Sequence, residues 1–160
     1  MKAKINARGM PGLLVICYLL LATGSSAQTE IKFATLAPDN TSWMKAIRAM
    51  DKAVQEKTGG AVKFKFYPGG VMGDEVDVLR KMKFGQVHAG GFTGLGLGQI
   101  AGEVRALEIP GNFRSYKEVD AGLAAANPEM QVAFQKAGFA LLGWAEVGFA
   151  YLYTNKKVTG

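Results

Sequence analysis

The sequence predicts an α/β domain with a mostly parallel sheet and flanking helices. Two observations support this prediction: short apolar or alternating runs typical of strands recur along residues 31–92, and helical stripes with capping residues lie between them. Strand and helix alternate twice in this stretch, and parallel neighbouring strands need a crossover connection, which is usually a helix. The chain of 160 residues is long enough for one domain with a sizeable core.

The N-terminus is typical of a secretory signal peptide over residues 1–27. Three basic residues precede an apolar run at residues 13–21, and small residues follow it. A membrane-spanning helix needs about 20 apolar residues, so a retained anchor is the less favoured alternative. We therefore expect cleavage after Ala27, export to the periplasm and a folded region at residues 28–160.

Composition excludes several classes of function. The only cysteine, Cys17, lies in the N-terminal apolar run, so the exported part has no disulfide and no thiol nucleophile. The formal net charge of +6 is spread without a basic run, which gives nucleic acid binding little support. His88 is the only histidine, and a solvated position in or beside the third strand is favoured over a catalytic role. We expect no catalysis, no metal and no cofactor.

The first elements follow from apolar spacing. Residues 31–36 predict the first strand, and residues 62–67, which alternate between apolar and basic side chains, predict the second. A helix lies between them, closed by glycines, and its predicted apolar stripe is Trp43, Ala46, Ile47, Met50 and Val54. A second helix begins near Asp74, and residues 86–92 predict the third strand.

The segment after the third strand is rich in glycine. Residues 96–101 match a loose dinucleotide fingerprint, in which glycines let phosphate approach a helix start. The true motif follows the first strand of its unit, whereas this segment follows the third. A tight loop that packs against a neighbouring element is therefore favoured. Residues 106–109 predict another short buried strand.

The last third of the chain predicts two helices and a tail strand. Ser115 with Glu118 forms a capping box for the first helix, and Asn127 before Pro128 is typical of the start of the second. Residues 139–153 form a long apolar and aromatic run, which predicts one long strand or two.

Loops at the carboxyl ends of the first three strands predict a cleft. Asp74, Glu75 and Asp77 cluster at a helix start, where capping is the default interpretation. Asp74 can also face a ligand, because such loops line the crevice where open α/β sheets bind ligands. The same geometry brings in residues 36–39 and 93–96. We expect these three loops to converge on one site.

The tail concentrates aromatic side chains around one acid. For most of the aromatic residues core filling is the favoured interpretation, and a ligand-stacking wall is the alternative. Glu146 is flanked by apolar residues, so it must be paired, lie at a strand edge or face a polar ligand.

Short motifs in a fixed order suggest a family. They are Ile31-Lys32-Phe33-Ala34, Glu56-Lys57-Thr58-Gly59-Gly60, Tyr67-Pro68-Gly69-Gly70, Leu107-Glu108-Ile109-Pro110 and Gly143-Trp144-Ala145-Glu146. Together they resemble the N-terminal portion of the solute-binding proteins of tripartite ATP-independent periplasmic (TRAP) transporters, with the C4-dicarboxylate-binding branch as the most similar type. The resemblance implies one type II-like lobe of a two-lobed periplasmic protein, with the second lobe largely missing.

The resemblance also implies site residues. Leu36, Asp74 and Thr93 fall at ligand-binding positions of the first lobe, and residues 144–151 are similar to the family's crossing strand. On that strand Trp144, Glu146 and Ala150 are the candidate ligand contacts.

Ala150 departs from the family pattern. It stands where many members have an arginine directed at the ligand carboxylate, so one ionic contact is absent and a dicarboxylate or sugar acid fits this position less well. The family's main carboxylate-clamping arginine lies on a segment beyond Gly160, which implies a truncated product.

The function that follows is capture of a small organic acid or a similar polar solute outside the cytoplasm. The resemblance implies delivery of that solute to the TRAP membrane permease subunits. An extracytoplasmic sensing or interaction module, which binds a signalling partner instead of a permease, is the alternative.

Overall fold

The computed structural model describes residues 28–151 and 153–156, so the predicted signal peptide lies outside the described residues. The elements, in chain order, are β1 (Thr29–Thr35), α1 (Ser42–Lys57), β2 (Val62–Tyr67), α2 (Glu75–Lys83), β3 (Ala89–Gly91), α3 (Gly94–Ile100), a 3₁₀-helix (Gly102–Glu108) and α4 (Tyr116–Lys136). None of the helices in this part of the chain combines the length and apolar character needed to cross a membrane.

The three strands form one parallel sheet in the order β2-β1-β3. Thr29 of β1 lies opposite Val62 of β2, and Thr35 lies opposite Gly91 of β3. Helices α1 and α2 supply the crossover connections that parallel neighbours require. The predicted α/β fold is confirmed, and all three carboxyl ends lie at one edge of the sheet, although β3 is shorter than predicted.

Helix α1 packs on the sheet through a stripe that agrees in part with the predicted one, because Trp43, Ile47 and Val54 are half-buried. Met44 is fully buried, whereas Ala46 is exposed and Met50 is 39% exposed. Asp51 lies on the packed side because its Oδ1 accepts a hydrogen bond from the Phe64 N–H of the edge strand β2, at 2.9 Å. Asp51, a polar residue, therefore lies on the packed side of α1, whereas the apolar spacing placed its neighbour Met50 there.

The ends of the first two helices match the sequence signals. Thr41 caps α1 by accepting the Met44 N–H, and Asp74 caps α2 by accepting the Asp77 N–H at 2.8 Å. Gly59 and Gly85 follow the helix ends with a positive backbone angle φ, which residues other than glycine rarely adopt.

Two apolar clusters support the two halves of the described chain. The first lies between the sheet and α2 and is centred on Ala34, Val78 and Val87. The second joins α3, the 3₁₀-helix, α4 and the tail, and consists of Ala101, Val104, Met130, Phe134 and Leu141.

Two predictions between β3 and α4 are wrong. The predicted loop in the glycine-rich segment is an α-helix, α3, and the predicted strand at residues 106–109 lies largely within the 3₁₀-helix Gly102–Glu108. Thr93 caps α3 by accepting the Leu95 N–H at 3.3 Å, and this local bond starts the helix despite its glycines.

The prediction of two helices after residue 115 is also wrong, because α4 is a single helix that contains Pro128. Ser115 does cap it, as predicted, by accepting the Glu118 N–H. Asn127 does not act as a cap, since its Oδ1 accepts the Trp144 indole N–H at 2.9 Å.

The tail does not form the predicted strand. Residues 138–151 and 153–156 form no strand in the part of the chain that the structure describes. Backbone and side-chain bonds attach them to α4: the Phe139 N–H donates to the Phe134 carbonyl at 2.9 Å, and, besides Asn127, the Gln131 amide Nε2 donates to the Leu141 carbonyl at 2.8 Å. A long apolar and aromatic run predicted a strand here, but a strand also needs a neighbouring strand for its backbone groups.

Candidate functional site

The sheet edge brings three predicted site residues to the same end of the molecule. Leu36 directly follows β1, Asp74 caps the helix after β2, and Thr93 follows β3. Because the strands are parallel, the loops after them emerge at one edge. Leu36 is 44% exposed, and Asp74 and Thr93 are also exposed, so all three are accessible to a solute.

The turn before α2 connects two of these positions. Gly70 donates its N–H to the Thr35 carbonyl at 3.1 Å, and Gly73 donates to the Gly70 carbonyl at 2.9 Å. A side-chain carbon added at Gly70 would lie 3.3 Å from Leu36 Cδ2, so this turn packs directly against Leu36. The Leu36 loop and the Asp74 cap therefore form one continuous surface.

Glu75 connects the Asp74 cap to Thr93, a role that sequence reasoning missed. Its side chain is buried, at 4% exposure. Glu75 Oε1 accepts the Thr93 N–H at 2.6 Å, while Oε2 accepts the Thr93 hydroxyl at 2.9 Å and the Gly96 N–H at 2.7 Å. The sequence suggested only a helix-start carboxylate, because both partners are distant along the chain.

A groove of about 640 Å³ lies beside this edge. Four of the six predicted ligand contacts line it: Thr93, Trp144, Glu146 and Ala150. The 3₁₀-helix, the loop at residues 109–113, the first turns of α4 and the rest of the tail supply most of the remaining wall. Leu36 and Asp74 are not among its lining residues. Of the six predicted contacts, Thr93 is therefore the one that belongs to both the sheet edge and the groove.

Glu146 is one of the exposed side chains of the tail, and it lies near Asp120 of α4. Desolvation raises the pKa of the Glu146 carboxyl, and the hydrogen bond and negative charge of Asp120 raise it further. Glu146 lines the groove and does not lie at a strand edge, because residues 138–151 contain no strand.

The aromatic residues of the tail divide into two groups. Trp144 packs against the second apolar cluster, and the Phe149 ring lies 5.1 Å from the Tyr116 ring. Tyr151 and Tyr153 are exposed, so core filling is wrong for these two.

His88 lies where the sequence indicated. It is exposed and directly precedes β3, and its Nδ1 accepts the Lys32 N–H at 3.1 Å. Among the described residues there is no group of three or more histidine, cysteine, aspartate or glutamate side chains arranged to hold a metal ion.

The described fold is a parallel sheet with flanking helices, and the loops after its strands gather at one edge. Residues 33–159 match the family model described as bacterial extracellular solute-binding protein, family 7. The chain belongs to this family, and the resemblance to TRAP solute-binding proteins is confirmed. Members of this family are periplasmic solute-binding proteins rather than enzymes.

Curated relatives agree with this assignment. A solute-binding protein of Verminephrobacter eiseniae is 27% identical over 135 residues, which are 83% of this chain and 40% of that protein. The C4-dicarboxylate-binding protein DctB of Bacillus subtilis is 25% identical over 134 residues, 83% of this chain and 38% of that protein. The chain thus spans about two fifths of the length of these relatives.

Solved structures confirm the fold of the lobe. A TRAP periplasmic solute-binding protein of Ochrobactrum anthropi superposes with a TM-score of 0.65 at 23% identity, covering 71% of this chain and 36% of that one. A Bradyrhizobium protein in complex with galacturonate gives 0.63 at 24% identity, with 68% and 37% covered. A Polaromonas protein bound to D-erythronate gives 0.64 at 20% identity, with 69% and 37% covered.

Proposed function

We propose that this chain supplies one lobe of the extracytoplasmic solute-binding subunit of a TRAP transporter. In this role it captures a small organic acid or a similar polar solute for transfer to the membrane permease subunits. The observation that carries the proposal is the position of Leu36, Asp74 and Thr93 at one edge of a parallel sheet, where open α/β sheets bind ligands. The predicted signal peptide at residues 1–27 supports a periplasmic location.

Each proposed contact offers a definite kind of chemistry. Leu36 provides an apolar surface, and Asp74 retains carboxylate lone pairs beyond the one that caps α2. Trp144 offers its ring face, because its indole N–H is already bonded to Asn127. Glu146 offers a carboxyl group and Ala150 a small apolar surface.

This set suits a solute that donates hydrogen bonds. Asp74, Thr93 and Glu146 can accept hydroxyl or amino protons, whereas none of the six proposed contacts carries a positive charge. The galacturonate and D-erythronate bound by two similar proteins both combine one carboxylate with several hydroxyls. We therefore propose that hydroxyl groups of the solute face this lobe and that its carboxylate is held elsewhere.

A screen of the 160-residue chain by thermal shift and calorimetry tests the proposal. D-galacturonate, D-erythronate, succinate and neutral sugars are added at millimolar concentration, since a ligand enclosed on one side gains only part of the usual affinity. A hydroxy acid that raises the melting temperature, and whose effect is lost in Asp74→Ala, supports the proposal. The absence of binding by every class of solute contradicts it.

A further inference from the structure

Glu75 is a buried charge that is satisfied by backbone and hydroxyl groups. Its carboxylate accepts three hydrogen bonds, at 2.6 to 2.9 Å. No ion pair to Glu75 occurs within residues 28–151 and 153–156. A buried carboxylate is costly unless its lone pairs are bonded, so these three donors stabilise the charged side chain in the interior.

Two of the three donors are backbone N–H groups at the start of α3. Gly96 lies in its first turn and Thr93 is its N-cap. A second carboxylate, Glu108, accepts the Gly94 N–H at 3.0 Å, and the Thr93 hydroxyl accepts the Leu95 N–H. The free N–H groups that open α3 are therefore already bonded to side chains of the same chain.

The glycines of α3 make this close approach possible. A side-chain carbon at Gly96 would lie 2.7 Å from Glu75 Oε2, and one at Gly94 would overlap the Glu108 carboxylate. At Gly98 it would lie 2.7 Å from Cδ of Arg105. Close approach of charged side chains therefore explains the glycines at 94, 96 and 98. No bound phosphate is needed to account for them.

We propose that Glu75 and Glu108 are positioning residues that act as internal anions at the start of α3. By internal anions we mean carboxylates of the chain itself that accept the N–H groups of this helix start. They occupy the place that an external phosphate would take at such a helix end, and Glu75 holds the Thr93 backbone and hydroxyl in one orientation. The consequence for solute binding rests on the proposed function of Thr93 as a ligand contact. The internal anions themselves do not depend on it.

Amide hydrogen exchange of the ¹⁵N-labelled chain tests the proposal without any ligand. In Glu75→Gln only one oxygen remains, so at least one of the Thr93 and Gly96 amides loses its acceptor. We expect that amide to exchange about tenfold faster or more, while amides in α1 keep their rates. Glu103→Gln is the matched control, because Glu103 is an exposed acid on the neighbouring 3₁₀-helix. Unchanged exchange at both amides of Glu75→Gln overturns the proposal.

A glycine pair provides a second test that leaves the charge unchanged. Gly96→Ala is expected to displace Glu75 and to raise exchange at Thr93. Gly102→Ala is its control, because nothing lies within 4 Å of a side-chain carbon at that position. Equal exchange at Thr93 in the two variants contradicts the proposal. If Gly96→Ala does not fold, the Glu75→Gln measurement decides.

Inorganic phosphate distinguishes an internal anion from an open anion site. Titration of the wild-type chain with phosphate should leave the amide shifts of residues 93–96 unchanged, and saturable shifts at these amides would overturn the proposal. Because none of these three measurements uses an organic acid or a sugar, the proposal can fail while the proposed function stands, and the reverse also holds.

Discussion

The sheet half, residues 29–91, and the tail, residues 138–151 and 153–156, are both rich in apolar side chains but have different structures. Residues 29–35 and 62–67 form paired strands, and Phe33 and Ala34 are buried between helices and sheet. Residues 139–151 are more apolar, yet they form no strand, and Val147 is 88% exposed. The difference shows that an apolar run gives a strand only where a neighbouring strand pairs with its backbone N–H and C=O groups.

The two regions should therefore respond differently to substitution. In the sheet half, stability comes from burial and from the backbone pairing of β1 with β2 and β3. In the tail it comes from the Phe139 N–H bond to the Phe134 carbonyl, from two side-chain hydrogen bonds to α4 and from the packing of Leu141 and Trp144.

The largest effect is expected in the sheet half, at Met44→Ala. Met44 is fully buried, so truncation leaves a cavity and should lower the free energy of unfolding by about 2–5 kcal/mol. Met50→Ala, on the same helix and 39% exposed, is the matched control and should cost much less. Urea denaturation followed by circular dichroism measures both. Equal losses would show that α1 does not pack as described.

A smaller effect is expected at the cap of α2. Asp74→Ala removes the acceptor of the Asp77 N–H and should cost about 0.5–2 kcal/mol, whereas Asp74→Asn keeps an acceptor and should cost less. The same unfolding assay applies. A loss in Asp74→Asn as large as that in Asp74→Ala would argue against capping as the structural role of this residue.

At the tail, Trp144→Phe should cost less than Met44→Ala. It removes the hydrogen bond to Asn127 and leaves most of the ring packing, so we expect about 0.5–1.5 kcal/mol. Asn127→Ala, which removes the other partner, is the comparison. A loss in Trp144→Phe that exceeded that of Met44→Ala would break the contrast between the two regions.

The smallest effect concerns the pH dependence of the tail. The raised pKa of Glu146 means that the folded chain binds this proton more tightly than the unfolded chain does. The contribution of Glu146 to stability therefore increases as the pH falls through its folded pKa. Glu146→Gln should remove this part of the pH dependence of the melting temperature. An identical pH dependence of the melting temperature in wild type and Glu146→Gln contradicts this prediction.

Much of the sheet half could be predicted because its signals are local. Alternation in residues 62–67, the cap at Asp74 and the glycines after α1 and α2 each act within a few positions. The position of Leu36, Asp74 and Thr93 at one edge could be predicted because the parallel direction of the strands alone places them there. Glu75 was missed because its partners, Thr93 and Gly96, are 18 and 21 positions away.

The errors have the same origin. Pro128 predicted a helix start, but α4 continues through this residue. The helix is held by Met130 and Phe134, which belong to the second apolar cluster. Glycines at 94, 96 and 98 signalled a loop, and only the folded chain shows the side chains that approach them. Long-range contacts decided both cases, and a single sequence does not display them.

The most direct test of a ligand wall at the carboxyl edge is an NMR titration of the ¹⁵N-labelled 160-residue chain with D-galacturonate and D-erythronate. The account predicts saturable amide shifts at Leu36, Asp74 and Thr93, with smaller changes at the opposite edge near Thr29 and Val62. Shifts confined to that opposite edge, or saturation with no change at Thr93, would contradict it.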